Sequence, residues 1–193
     1  DLIYKSKRKF YFSLTSFLDD KIEKLIEYKM KKYTNSFSKF KIQNRKLRIK
    51  LTELLMYKNP SNKYQYEFLK FSSNITEKIS ALSMLIEHNT SIEEAEKIFI
   101  EWEKNDMLLN KWYSVIGSKS LPGEASKTVE ELSNKKNFNW KNPNRFRSLI
   151  ASFAYNNLAG FHNIDGSGYD LVISWILKMD NHNPQIAASL CTC

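Results

Sequence analysis

The sequence predicts an all-α protein, and three observations support this fold class. Apolar residues recur at spacings of three and four along nearly the whole chain, which is the period of an amphipathic helix. The sequence has no run of alternating apolar and polar residues bounded by hairpin turns, which is the usual signal of β-strands. Only 5 Gly and 4 Pro occur among 193 residues, a composition that suits long helices joined by short loops.

The first part of the chain predicts helices separated by polar breaks. The first segment is interpreted as two helices, or one kinked helix, ending near Tyr33. Its predicted apolar stripe consists of Phe10, Leu14, Phe17 and Leu18. Asn44 is predicted to cap the next helix. The predicted buried positions of that helix are Leu47, Ile49, Leu51, Leu54 and Leu55. Asn59-Pro60 then predicts a break before a short helix around Phe68.

Cap residues mark the helices in the middle of the chain. One helix is predicted to begin after Asn74, and the next at Ser91, which forms a capping box with Glu94. A further helix is predicted to end at Gly117, before Pro122. The predicted inward-facing residues of this region are Ile79, Leu82, Leu85, Ile86, Ala95, Ile98, Phe99, Trp102, Leu108, Leu109, Trp112, Val115 and Ile116, with Val129 and Leu132 on a short helix that follows.

The last part of the chain has the clearest helix starts. Asn142-Pro143 and Asn183-Pro184 each place a capping side chain before a proline at the first helical position. Between them, Asp165-Gly166-Ser167-Gly168 predicts a tight turn, in which Asp165 or Ser167 bonds free backbone amides. This turn lacks the Lys and the preceding strand of a phosphate-binding loop, so that class of site is excluded.

These elements add up to about ten helices with short connections. Consecutive helices joined in this way are expected to stack in pairs, which favours a superhelical α-solenoid of the HEAT or armadillo kind. We expect residues 1–193 to form a single helical domain.

The charge of the chain is concentrated in its first 50 residues. The net charge is +9, and residues 1–50 hold 15 Lys and Arg against 5 Asp and Glu. Such a half can attract nucleic acid or an anionic membrane, but a Lys-rich solvated surface is the preferred interpretation. Nucleic acid is not an expected partner because no RNA-binding or zinc-finger motif is present. No membrane partner is expected either, because no apolar run of membrane-spanning length occurs.

The two cysteines, Cys191 and Cys193, are separated by one residue and cannot staple the fold. This usage favours a reducing compartment, and we expect a cytoplasmic protein.

Three phrases at fixed spacing carry a resemblance to a known family. They are Asn142 to Arg147, Phe161-His162 with Asp165 to Tyr169, and Asn183-Pro184-Gln185. Further matching segments upstream are Arg45 to Arg48, Ser73 to Glu77, and Trp102 with Met107 to Tyr113. In this order and spacing, the chain from about residue 43 to 190 resembles the C-terminal helical domain of the aminopeptidase N family, zinc peptidases of the bacterial and protozoan alanyl-aminopeptidase type.

The resemblance implies a role for the chain inside a larger enzyme. The parent would release N-terminal amino acids from peptides, using zinc held by a His-Glu-x-x-His motif. This chain would enclose the catalytic chamber and gate peptide access, with the catalytic domain of the same polypeptide and short peptides as partners. We expect this chain to be a fragment of that parent, truncated at both ends. None of His88, His162 and His182 begins His-Glu-x-x-His, so we expect no catalytic residue and no metal ligand here.

Two residues, Arg147 and Gln185, are candidate substrate contacts. Arg147 has a neighbouring arginine, Arg145, two positions before it, so the two arginines lie on different faces of a helix. The resemblance places that helix beside the chamber and favours Arg147 as the residue that meets a peptide carboxylate. A structural salt bridge is the alternative role for Arg147.

The resemblance also implies that Gln185 lines the pocket for the N-terminal side chain of the substrate. Many relatives have an Arg four residues later, where this chain has Ser189, so any carboxylate role there is lost.

A second function class stays open. The chain can instead be a free-standing helical scaffold whose basic N-terminal half binds an acidic partner or RNA. The sequence preceding Asp1 in the full gene distinguishes the two, because only the enzyme requires His-Glu-x-x-His upstream.

Overall fold

The protein is all-α, as predicted. The computed structural model describes residues 2–31, 39–60, 68–70, 72 and 74–193, and these residues contain no β-strand. Besides a helical turn at residues 68–70, the helices of the described residues are α1 (Leu2–Lys31), α2 (Lys39–Lys58), α3 (Ile75–His88), α4 (Ile92–Trp102), α5 (Asp106–Lys119), α6 (Ala125–Ser133), α7 (Pro143–Phe146), a π-helix (Arg147–Ala151), α8 (Ser152–Asn156), α9 (Leu158–Phe161), α10 (Ser167–Asp180) and α11 (Pro184–Leu190).

The chain divides into two compact units, residues 2–84 and residues 85–193. Each is described by itself below, and the prediction of a single domain over residues 1–193 stays a prediction. No helix in the described ranges has the length and apolar character that a bilayer crossing requires.

Helices α1 and α2 pack against each other in the first unit. The buried hydroxyl of Thr15 donates to the main-chain oxygens of Tyr11, at 2.7 Å, and Leu54, at 2.9 Å. The second bond joins the two helices, because Thr15 lies on α1 and Leu54 on α2. A buried ion pair between Arg48 and Glu77 links α2 to α3 within the same unit. A buried charge is tolerated only when paired in this way.

The first segment is one helix, so only the interpretation as two helices was wrong. This helix is described as far as Lys31, and Tyr33 lies outside the described residues. The predicted burial of Phe10 and Phe17 was also wrong. Phe10 and Phe17 are 62% and 85% exposed. The reason is that the face of α1 that becomes buried or half-buried is the one carrying Tyr11, Leu14, Thr15, Leu18 and Ile22.

The predicted start of the second helix was also wrong. Asn44 lies inside α2, which already begins at Lys39, so Asn44 is not the N-cap of this helix. Leu47 is 39% exposed, whereas Leu51 and Leu55 are buried as predicted.

Caps predicted in the second unit are confirmed because they depend only on neighbouring residues. The side chain of Ser91 accepts a hydrogen bond from the amide of Glu94 at 3.4 Å. Asn142 accepts from the amides of Asn144 and Arg145, and Asn183 accepts from that of Ile186. Each cap satisfies amides that lack a partner in the first turn of a helix.

Gly117 is not a helix end, because α5 continues to Lys119. Glycine is required at this position because two helices approach each other closely. A Cβ atom at residue 117 would lie 2.6 Å from the main-chain oxygen of Leu149 in the π-helix, far inside van der Waals contact. Glycine therefore lets α5 and the π-helix pack backbone to backbone.

The buried side-chain amide of Asn157 fixes the end of α5. The side chain of Asn157 donates to the main-chain oxygens of Gly117, at 3.2 Å, and Ser120, at 2.9 Å, and accepts from the amide of Gly160. These bonds satisfy carbonyls at the end of α5 and tie them to the start of α9.

Candidate functional site

Arg145 and Arg147 occupy opposite environments. Arg145 is 4% exposed; its guanidinium donates to the carboxylate of Asp106 at 2.7 Å and lies 5.2 Å from the centre of the Tyr113 ring. Arg147 is exposed. The structural salt bridge considered for this motif therefore belongs to Arg145, and Arg147 is left to face solvent.

Arg147 stands where the helix changes its hydrogen-bond pattern. It is the first residue of the π-helix, and its main-chain oxygen accepts from the amide of Ser152, five residues on. Single π turns inside α-helices are found often at functional sites, because the extra residue redirects neighbouring side chains. The inner face of the same turn, with Leu149 and Ile150, is fully buried.

An open pocket of 330 Å³ lies beside Arg147, between α5 and the start of the π-helix. We call it the cationic pocket. Two positively charged residues line it, Lys111 and Arg147, and no carboxylate does. The remaining lining residues are Met107, Asn110, Ser114, Asn144 and Ser148.

The two cations of the cationic pocket have no ion-pair partner among the described residues. The side-chain oxygen of Asn110, which lines the pocket, is buried and accepts no hydrogen bond from the described residues. Two unpaired cations with polar hydroxyl and amide groups around them suit an anionic group such as a carboxylate or phosphate.

Gln185 lies at the second position of α11, after the Asn183 cap and Pro184, and its side chain is exposed. Ile186, Ala187 and Leu190 bury the other face of this short helix. Among residues 74–193, no hydrogen bond or ion pair joins Gln185 to Arg147. The structure thus presents both candidate side chains to solvent.

The turn at Asp165 has a structural role. The carboxylate of Asp165 accepts from the amide of Ser167 at 2.9 Å, and Gly166 has a left-handed backbone with φ of 77°. The hydrogen bonds from the Ser167 amide and hydroxyl hold the pKa of Asp165 below its usual value. Of the two alternatives, Asp165 is therefore the residue whose side chain bonds a free backbone amide, while Gly166 occupies the N-cap position of α10.

The histidines have local structural partners. His162 lies 2.7 Å from the hydroxyl of Tyr169, and the His182 ring packs edge-on against Trp140. In the described part of the chain, no three His, Cys, Asp or Glu side chains come close enough to hold a metal ion. The residues described here therefore do not fit a zinc site.

Sequence reasoning missed Lys111. It lies 36 positions before Arg147, and only the packing of α5 against the π-helix brings the two side chains to one pocket. The segment Met107 to Tyr113 was singled out for its resemblance, but nothing local marks Lys111 as a binding residue.

The whole chain matches one family model. Residues 1–193 match the family described as a domain of unknown function (DUF3458_C) with ARM repeats.

Curated relatives and a solved structure agree with this match. The chain is 30% identical over 141 residues to aminopeptidase N of Haemophilus influenzae and 32% identical over 121 residues to aminopeptidase N of Escherichia coli K12. These alignments cover 70% and 62% of this chain but only 16% and 14% of the relatives. The crystal structure of Legionella pneumophila aminopeptidase A in complex with aspartic acid matches with a TM-score of 0.83 and 26% identity. That match covers 97% of this chain and 23% of the solved one.

Proposed function

Because the chain belongs to the DUF3458_C family of ARM-repeat domains, we propose that it is the C-terminal helical domain of a zinc-dependent aminopeptidase that releases N-terminal amino acids from peptides. The observation that carries this proposal is the fold match to an aminopeptidase over 97% of the chain. The aminopeptidase N relatives, of which the chain spans about a sixth, support it.

In this proposal the domain supplies enclosure and the rest of the polypeptide supplies chemistry. Zinc would be held outside this chain, since the described residues bring no metal ligands together. Helical repeats present broad surfaces to neighbouring parts of a protein, which suits a wall around a catalytic chamber. A walled chamber admits flexible peptides and excludes folded proteins.

The cationic pocket gives this wall a specific task. We propose that Arg147 meets the C-terminal carboxylate of short peptides, with Lys111 as a second cation. Support comes from the two unpaired positive charges at one pocket that no carboxylate lines. Gln185 is proposed to contact the N-terminal side chain of the substrate, which its exposure permits.

The partners follow from the same proposal. They are the catalytic domain of the same polypeptide and short peptides, and the compartment is the cytoplasm, where the exposed free thiols of Cys191 and Cys193 are stable. The alternative scaffold function would need the basic residues 1–50 to bind an acidic partner or RNA in the absence of any aminopeptidase domain.

A tail-length experiment tests the enclosure. The parent enzyme is assayed on one peptide sequence fused as an N-terminal tail of 5, about 15 or about 30 residues to a compact folded protein, and on the free peptide. A tail spans at most about 3.3–3.6 Å per residue, so only the longer tails can reach an enclosed site. We expect release of the first residue from the free peptide and the longest tail, and little from the shortest. Equal rates for all tails would overturn the enclosing role.

A second arm tests the enzyme class itself. The parent should lose aminopeptidase activity on treatment with a zinc chelator and regain it with added zinc. A parent gene without any His-Glu-x-x-His stretch, whose product shows no aminopeptidase activity, would return the scaffold alternative to first place.

A further inference from the structure

A second cavity in the unit of residues 85–193 has a different chemistry from the cationic pocket. It is a cleft of 590 Å³ lined by α4, α5 and α6, with the end of α3 at its edge. Its size falls within the range of about 300–1,000 Å³ typical of ligand-binding clefts. We call it the acidic cleft.

The floor of the acidic cleft is apolar. Phe99 and Leu121 are half-buried, and Trp112 lies almost fully buried beneath. Ile100 also lines the cleft and is 65% exposed. A bound apolar group would remove this surface from water, which favours binding.

The rim of the acidic cleft is negatively charged. Glu96, Glu124 and Glu131 line it against a single cation, Lys135, in a chain whose net charge is +9. Glu96 and Glu124 form no ion pair among the described residues, and Glu131 has only Lys127 at 4.0 Å. The negative charge at this cleft is therefore available to a ligand.

The apolar floor and the separated carboxylates of the acidic cleft indicate which chemical groups a ligand must carry. Glu96 lies on α4 and Glu124 directly before α6, so the charges stand on different elements around the floor. A fitting ligand needs an apolar centre with positive charge on both sides. We propose that the acidic cleft binds a peptide segment in which large apolar side chains are flanked by Lys or Arg. Charge complementarity of this kind sets the partner and speeds encounter.

The test uses peptides that the proposed enzyme activity cannot process. The probe is acetyl-Lys-Leu-Phe-Lys-amide carrying a fluorophore, with acetyl-Glu-Leu-Phe-Glu-amide and acetyl-Lys-Ser-Ser-Lys-amide as comparisons. Blocked termini offer neither a free amine for an aminopeptidase nor a carboxylate for Arg147. Failure here therefore leaves the proposed function intact, and failure of the enzyme assays leaves this cleft intact.

Binding to the 193-residue chain is measured by fluorescence anisotropy at low and high salt. We expect the basic apolar peptide to bind and to weaken as salt rises, because exposed ion pairs are screened. The double variant Glu96→Gln/Glu124→Gln should weaken binding about tenfold, since two partly exposed ion pairs are lost. Ile100→Lys should weaken it at least as much, because it repels the peptide at an exposed position.

Glu130→Gln is the matched control, since Glu130 is exposed on α6 and does not line the cleft. It removes one carboxylate charge of the same kind, outside the cleft, and should leave the affinity within about twofold. Circular dichroism checks that every variant remains folded. Equal affinity of the acidic peptide, equal affinity of the folded double variant and the wild type, or no binding of the basic apolar peptide would each overturn the proposal.

Discussion

The buried guanidinium of Arg145 donates a hydrogen bond to the carboxylate of Asp106, 2.7 Å away, although the Asp106 side chain is 86% exposed. The pair connects the start of α5 to α7, and only one of its partners is removed from water. Its two halves should therefore contribute unequally to stability.

Replacing the two partners separately tests this asymmetry. Asp106→Asn should lower the free energy of unfolding by only about 0.5–1 kcal/mol, because the asparagine side-chain oxygen can still accept from the Arg145 guanidinium and only a solvent-screened charge is lost. Arg145→Ala should cost about 2–4 kcal/mol, since it also removes the packing of the side chain against Tyr113 and leaves a cavity. Urea unfolding of both variants provides the measurement. Similar losses for the two would show that the ion pair, and not the packing, dominates.

Gly117 and Gly123 should differ strongly in their response to the same change. Gly117→Ala should destabilise the protein by about 3 kcal/mol, because the new methyl group would lie 2.6 Å from the Leu149 carbonyl oxygen and push α5 away. Gly123→Ala should alter stability by no more than about 0.5 kcal/mol, since nothing lies within 4 Å of a Cβ there. Thermal unfolding compares them, and a neutral Gly117→Ala would refute the close approach of the two helices.

Tyr113 should make the protein sensitive to alkaline pH. Burial raises the pKa of its hydroxyl, an effect that the positive charge of Arg145 partly opposes. The folded pKa therefore lies above the unfolded value, so the stabilising contribution is complete below pH about 10 and is lost as pH rises through the folded pKa. Tyr113→Phe should flatten the loss of stability above about pH 10. Denaturant midpoints between pH 8 and 11 provide the measurement, and an unchanged alkaline slope in the variant would contradict the assignment.

The cationic pocket predicts a charge-specific kinetic effect in the parent enzyme. Arg147→Ala should lower kcat/KM for a free-acid tripeptide about tenfold, since a hydrogen bond to a charged group contributes roughly 1.5–3 kcal/mol and exposure reduces it. Lys111→Met should lower it about threefold, because an ammonium makes a single less directional contact. The amidated tripeptide lacks the charge and should be nearly unaffected by either change.

Lys127→Met serves as the control for this experiment, because Lys127 is 79% exposed and lies outside the cationic pocket. An equal loss on the free-acid and amidated peptides would assign Arg147 a structural role. A normal rate for Lys111→Met would limit the recognition of carboxylate to Arg147.

Features set by neighbouring residues could be predicted from the sequence, and features set by packing could not. The caps at Asn142 and Asn183 were predicted because a capping side chain and the following proline act on the next few amides. The prediction that Asn44 caps a helix was wrong because asparagine is also tolerated inside a helix. Gly117 misled because the feature that requires glycine is the Leu149 carbonyl, 32 positions away in the chain. For the same reason the sequence alone could not link Lys111 to Arg147, because only the packing of their helices brings the two side chains to one pocket.

The π-helix also sets the rotational phase of everything that follows it. A π turn closes with a hydrogen bond to the fifth residue along, so it holds one residue more than an α-helical turn. Deleting a single residue between Arg147 and Ala151 would therefore restore α-helical bonding with Phe153 and Ala154 still facing the core. Inserting one residue would instead rotate both side chains by about 100°.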